Sequence, residues 1–408
     1  MTENEAKSLL SQYGQEHILS YFDTLTNEQQ QELLSQISDT DFSVLNHLKK
    51  PKKTSNTGKI SPIRALQLPE INKNKNQYRD TGLLAIRSGK VAAVLLAGGM
   101  GTRLGSDNPK GMYDIGITKP MYIFERLICN LMDIVRESGE FIHLFVMTSD
   151  KNHAATTNFF NEQDYFGYEK DYIHFFKQDM APAADYAGKV FMEEPYRLAT
   201  SPNGNGGWFS SMKNAGLLDI VHCEGIEWLN VFAVDNVLQR IADPCFVGAT
   251  ITENCSVGAK VVRKNHPDEK VGVMCLKDNH PSIVEYYELT PELRDTKDEH
   301  GEPAYNFGVI LNYLFRVADL ETICQRQLPL HIVEKKIPHI DEAGNHIKPE
   351  EPNGYKFETL ILDLIEMMDT CLPFEVEREK EFAPIKNKTG VDSVESAREL
   401  LQKNRVTL

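Results

Sequence analysis

No stretch of this sequence holds about eighteen successive apolar residues, the length a membrane-spanning helix requires, so no spanning segment is expected. A surplus of positive charge is also absent. Lys plus Arg number 44 against 59 Asp plus Glu, a formal net charge of −15, whereas a nucleic-acid binder carries a basic face. The seven cysteines are odd in number and never spaced CxxC, which argues against a disulfide framework and against a zinc ribbon. Reduced thiols packed as small hydrophobes are expected instead. The opening MTENEAKSLL lacks a basic stretch followed by an apolar one, so no secretory signal is read there and the cytoplasm is the expected compartment. HExxH and GxSxG are missing, which removes the metalloprotease helix and the serine-hydrolase elbow. Neither an internal repeat nor a low-complexity tract occurs.

What remains is globular: 408 residues, 41% apolar and 25% charged, enough for two or three domains. Residues 1–50 read as helices, with Thr26 and Gln29 spaced as a capping box ahead of Leu33, Leu34 and Ile37. The basic KKPKKTSNTGK at 49–59 reads as a solvated linker. From residue 90 short apolar runs alternate with helical patterns. VAAVLLA at 91–97 ends in Gly98-Gly99, FIHLFVM spans 141–147, and WLNVFAV at 228–234 ends at Asp235. Between the first two, Phe124, Leu127, Ile128, Leu131 and Val135 recur at helical spacing. Such alternation predicts an α/β fold around a mixed, mostly parallel sheet. Ligands of such sheets bind beyond the carboxyl ends of the strands, and Gly98 and Asp235 both stand at such ends, facing one crevice. Further strands are expected at 331–338 and 374–378, a helix at 207–215, another at 356–368, and a helix from Ser393 onward.

The glycine loop is the strongest signal. In LLAGGMGTRLG, three glycines within four positions follow a strand, so the main chain can approach a ligand closely and present successive N–H groups to it. Arg103 lies in the loop and Lys110 follows in Asn108-Pro109-Lys110-Gly111, which adds positive charge suited to a polyphosphate. A dinucleotide fingerprint fails because Leu104 stands where its last glycine would be; a Walker loop fails because Pro109 precedes Lys110.

LLAGGMGTRLG with PKG resembles the signature of sugar-nucleotide pyrophosphorylases, and KGMYDIG at 110–116 resembles the eukaryotic-type uridylyltransferases, among them those of the N-acetylglucosamine branch. Ordered matches run along nearly the whole chain: GQEHIL at 14–19, PNGNGG at 202–207, VDNVLQRIADPCFVG at 234–248, VVRKNHPDEKVGV at 261–273, VEYYEL at 284–289, EKKIPHID at 334–341, KPEEPNGYKFE at 348–358 and EFAPIKN at 381–387. The resemblance implies a Rossmann-like, GT-A-like nucleotidyltransferase sheet. It divides the chain into a helical N-terminal region and linker (1–60), a catalytic domain (61–325) and a small C-terminal subdomain (326–408) closing on the sugar-phosphate site.

It also implies the site. Leu96, Ala97, Gly98 and Gly99 would present main chain to the nucleotide, with Arg103 and Lys110 on its phosphates. Gln178 resembles the glutamine that reads uracil, its amide donating and accepting at once. Gly204 and Asn205 match a second glycine loop that contacts base and sugar. Asp235 would ligate Mg²⁺, with Mn²⁺ as an alternative, since a hard dication takes one or two carboxylates plus phosphate oxygens. Glu285 and Asn306 resemble the sugar contacts, and Lys386 resembles the lysine brought to the sugar phosphate. The implied reaction joins UTP and N-acetylglucosamine 1-phosphate into UDP-N-acetylglucosamine and pyrophosphate. Alternatives are N-acetylgalactosamine or glucose 1-phosphate, or a UDP-sugar-binding relative without catalysis. No nucleic-acid or membrane partner is expected, and the chain is expected to be a monomer or weak homo-oligomer.

Two departures from the family pattern bear on the sugar. Asn306-Phe307-Gly308-Val309 replaces the usual Asn-Ala-Gly-Asn, and Leu360-Ile361-Leu362 replaces Phe-Val-Phe near the sugar and its N-acetyl group. The nucleotide half is intact, while strict acetamido selectivity is put in doubt.

Overall fold

The apolar run at 91–97 forms a strand buried at all six positions, Val91–Leu96, in the middle of a ten-stranded sheet. These features belong to a computed structural model describing residues 1–49, 58–299, 301–326 and 328–408. Most of the expected linker, 50–57, lies outside the described residues. In chain order the strands of this sheet are β1 (Ile60–Pro62), β2 (Val91–Leu96), β3 (Leu144–Thr148), β4 (Ile173–Lys177), β5 (Trp228–Ala233), β6 (Val257–Arg263), β7 (Val273–Lys277), β8 (His280–Val284), β9 (Phe307–Arg316) and β10 (Cys371–Glu375).

Four neighbours, β5-β2-β3-β4, are parallel; β2 and β3 are buried along their whole length, as inner strands of such a sheet should be, while β4 ends in the exposed Lys177. β9 runs antiparallel between β5 and β6, and β10 adds in parallel to β6. β7 meets β9 at Val273↔Gly308 and pairs onward with β8 and β1. The class is therefore the expected α/β with a mixed sheet. The Ile123–Ser138 helix buries Phe124, Leu127, Ile128, Leu131 and Val135, the stripe read from the sequence, and ends at Gly139 with φ 84°. Leu401, on the Val394–Lys403 helix, joins the same core.

The chain groups into two compact units. The sheet belongs to the unit formed by 58–178, 208–327 and 362–408. The other unit combines 1–57, 179–207 and 328–361. In it the helices Glu3–Tyr13 and Asn27–Asp39 bury Ala6, Leu10, Leu33, Leu34 and Ile37 beside Ala181, Leu198, Ile340 and Phe357. The Thr26–Gln29 capping box forms as expected. Arg197 Nη2 pairs with Glu32 at 2.8 Å, and Gln36 Oε1 accepts from Leu198 N–H at 2.9 Å. A three-stranded sheet of His331–Lys335, Gly354–Glu358 and Ala184–Asp185 completes it. One expectation is corrected here. Residues 354–358 are a strand, and the helix expected at 356–368 is confined to Ile361–Glu366.

Candidate active site

β2 and β5 lie side by side in parallel, with Leu96 paired to Ala233. Gly98 and Asp235 therefore leave the sheet together, each two residues beyond its strand's end, at the crevice expected for the ligand. Because β9 is antiparallel, its first residues lie at this same end; Asn306 immediately precedes it.

The glycine loop is held from below. Asn152, fully buried, donates from Nδ2 to Ala97 C=O at 2.9 Å and Gly99 C=O at 3.4 Å, while its Oδ1 accepts from Ser149 N–H at 2.7 Å. Lys110 N–H donates to Gly99 C=O at 3.1 Å, and Gly101 N–H to Asn108 C=O at 2.8 Å, so the Arg103 turn and Lys110 return against the loop. Among the described residues, the N–H groups of Gly98, Gly99 and Met100 donate to no protein acceptor. A run of free N–H groups is what an anion binds. Gln178 lies against Gly98: a Cβ there would come within 2.5 Å of Nε2, so only glycine admits the amide at this distance. The side chain is 8% exposed, not the surface glutamine its local sequence alone would suggest.

Lys110 shows which charges gather. Burial lowers the pKa of its ammonium below the usual lysine value, Arg103 and Lys386 push it the same way, and Asp235 opposes them. Three cations and one carboxylate thus share one electrostatic neighbourhood. Lys386 is partnered at 2.9 Å by Asp392, which also accepts the Lys386 N–H on its main-chain oxygen at 2.7 Å. Asp235 makes no ion pair among the described residues, and no group of three metal-ligating side chains occurs among them. A lone carboxylate at a strand end fits a dication that takes its other ligands from phosphate oxygens, and does not fit a cation caged by protein alone.

Glu285 lies beside Gly272, while Asn306 C=O accepts from Lys264 N–H at 2.9 Å. Val273 pairs with Val284 on one side and Gly308 on the other, and Glu285 Oε1 would lie 3.5 Å from a Cβ at Gly272. Burial and the neighbouring Glu288 raise the Glu285 carboxyl above the usual range. Gly204 and Asn205 belong to the other unit. There Asn205 Oδ1 accepts from Ile361 N–H at 3.0 Å and Gly206 N–H donates to Thr359 C=O at 2.9 Å. A Cβ at Gly206 would meet the Leu360 main chain at 2.7 Å. The second glycine loop is thus seated on the segment that carries the departure at Leu360. Asn152, Asn236 and Asp392 were not singled out in the sequence. The one signal for Asn152 is a polar residue just past the β3 strand end.

A mixed sheet whose parallel strands end in a free-amide glycine loop flanked by cations defines a nucleotide-binding α/β protein. The chain belongs to the UTP–glucose-1-phosphate uridylyltransferase family, whose model matches residues 32–408. It is 38% identical to UDP-N-acetylglucosamine pyrophosphorylase of Saccharomyces cerevisiae, over 95% of this chain and 86% of the yeast protein. It is 32% identical to UDP-N-acetylhexosamine pyrophosphorylase-like protein 1 of Mus musculus, over 96% of this chain and 82% of the mouse protein. Among solved structures, the uridine diphosphate N-acetylglucosamine pyrophosphorylase of Trypanosoma brucei, in complex with an inhibitor, is similar with a TM-score of 0.81 at 27% identity, covering 99% of this chain and 85% of that one.

Proposed function

We propose that the protein joins N-acetylglucosamine 1-phosphate to UTP, releasing pyrophosphate and forming UDP-N-acetylglucosamine. The observation that carries this reading is the free N–H groups of Gly98–Met100, against which the Lys110 main chain returns, with Asp235 on the neighbouring strand end and Arg103 and Lys386 acting with it on the Lys110 ammonium. Attack of a sugar-phosphate oxygen on the α-phosphorus needs alignment and charge neutralisation rather than a side-chain nucleophile. Main-chain N–H groups, Arg103 and Lys110 hold the triphosphate and offset charge on the departing pyrophosphate. Lys386 holds the attacking phosphate, Gln178 pairs with uracil, and Glu285 and Asn306 read sugar hydroxyls. Mg²⁺, held by Asp235 and phosphate oxygens, supplies further charge neutralisation when bound. No covalent intermediate is involved. Seven unpaired cysteines support a cytoplasmic setting.

The test is pyrophosphate release from UTP with Mg²⁺ across glucosamine-, galactosamine- and glucose-type 1-phosphates. The highest kcat/KM is expected with N-acetylglucosamine 1-phosphate. Preference for glucose 1-phosphate would overturn the substrate, and binding of UDP-sugar without pyrophosphate release would overturn catalysis.

A further inference from the structure

One buried side chain joins the turn after β5 to the segment bearing Lys386. Asn236 is 1% exposed and follows Asp235. Its Nδ2 donates to Glu381 C=O at 2.7 Å, and its Oδ1 accepts from Ala383 N–H at 2.9 Å. On either side the main chains meet directly. Ile385 N–H donates to Asp235 C=O at 2.9 Å, and Val237 N–H to Ala383 C=O at 3.3 Å, with Asn236 facing Pro384 as an isolated antiparallel bridge. The segment arrives from the Arg378–Glu381 helix, so the Glu381 carbonyl and the Ala383 amide need partners away from water, and a carboxamide supplies one donor and one acceptor.

Below, the Glu381 carboxylate is 2.5 Å from Nζ of Lys260, a fully buried lysine that also reaches Asp243 at 3.3 Å. Glu381 is therefore fixed at its side chain by an ion pair and at its main chain by Asn236. Five residues later stands Lys386, near Lys110 and paired to Asp392. The distance between Lys386 and Asp235 is set through these contacts. A residue that aligns the two phosphate-handling groups need not touch either substrate.

We propose that Asn236 is a positioning residue for the sugar 1-phosphate, registering Lys386 against Asp235; this rests on the role given to Lys386 above. Misplacing a reacting group by an ångström typically costs about 100-fold, so Asn236→Ala is expected to lower kcat/KM for the sugar 1-phosphate by about that factor. Affinity for UTP, measured calorimetrically without the sugar, should stay within about twofold, because the glycine loop is held independently by Asn152. Asn236→Asp matches the side chain in size and keeps the acceptor for Ala383, but sets a carboxylate oxygen against the Glu381 carbonyl where the donor stood, so a loss at least as large in the same parameter is expected. In a Lys386→Ala background the Asn236→Ala effect should largely disappear, since the two act as one unit.

Unchanged kcat/KM in both single variants overturns the proposal. So does full additivity with Lys386→Ala, or loss of UTP binding in both variants, which would mean that Asn236 supports the fold at large. A parent enzyme that releases no pyrophosphate from UTP with any sugar 1-phosphate overturns the functional reading itself, and the proposal with it.

Discussion

Lys110 shows how one residue can be poised by its neighbours. Removing a preorganised charge contact of this kind typically slows an enzyme by about 100- to 1,000-fold, so Lys110→Ala should lose at least two orders of magnitude in turnover while keeping its circular dichroism. Near-normal pyrophosphate release would remove Lys110 from the reaction. Its lowered pKa has a direction that can be measured. The ammonium loses its proton at a pH below the ordinary lysine value of 10.5, so the rate should decline early on the alkaline side. Lys110→Arg, if active, should move that decline to higher pH, because a guanidinium stays charged. Asp235→Asn should raise the Mg²⁺ concentration needed for half-maximal rate and lower the maximum, since an amide is a poor ligand for a hard dication; an Mg²⁺ titration of both proteins decides it. Residues of this kind were legible in the sequence because Arg103, Lys110 and three glycines crowd into one short stretch after a strand. Asn152 and Asn236 were not, because the main-chain groups they tie down, at 97–99 and 381–383, lie more than fifty residues away and an asparagine carries no local mark of such a bond.

Elements with one strong periodicity were read correctly, and those with mixed patterns were not. β2, β3 and β5 are almost wholly apolar, Thr148 and Asn230 being their polar residues, and burial on both faces gives such runs the signature of inner strands. At 354–366, Tyr355 and Phe357 alternate in a strand, while Ile361, Leu364 and Ile365 follow helical spacing, so two short periods overlapped into one apparent helix. The same segment bears on sugar choice. Leu360 lies on the chain that seats the second glycine loop, and its smaller side chain offers less contact than phenylalanine. Leu360→Phe should change the ratio of kcat/KM between acetylated and plain sugar 1-phosphates by roughly 10-fold or more, the scale of one hydrophobic contact. An unchanged ratio would show that Leu360 does not face the sugar. A separate expectation concerns β3 and β4. His143, just before β3, and His174, in β4, share a hydrogen bond of 2.9 Å, and burial holds both imidazoles below the usual histidine value of 6.5. The unfolded chain takes up protons near that value while the folded pair resists them, so stability is full above it and falls as the pH drops through the lowered values. Urea melts between neutral and mildly acidic pH should show this loss, and His174→Phe should reduce it.

Across the whole molecule, buried charge is concentrated where Lys260 meets Glu381 and Asp243. Glu381→Ala would leave the fully buried ammonium short of a counter-charge at a cost of about 3–5 kcal/mol, whereas Lys260→Met with Glu381→Leu and Asp243→Asn, which removes all three charges together, should recover most of it. Denaturant midpoints of the two variants compare directly; equal destabilisation would mean that the buried charges are not the source. The grouping of 1–57 with 179–207 and 328–361 had no counterpart in the sequence, because such contacts join positions more than a hundred residues apart and composition does not change at their borders. The same holds for β10, which pairs in parallel with β6 although about a hundred residues separate them, the kind of non-local pairing that forms slowly. During synthesis this has a temporal meaning. β6 emerges long before its neighbour exists, so one edge of the sheet stays open until the segment from Cys371 onward is made. Lys386 follows that strand. A nascent chain can therefore complete its glycine loop early, yet Lys386, proposed above to hold the second substrate, arrives only after β10 has been made to pair with β6.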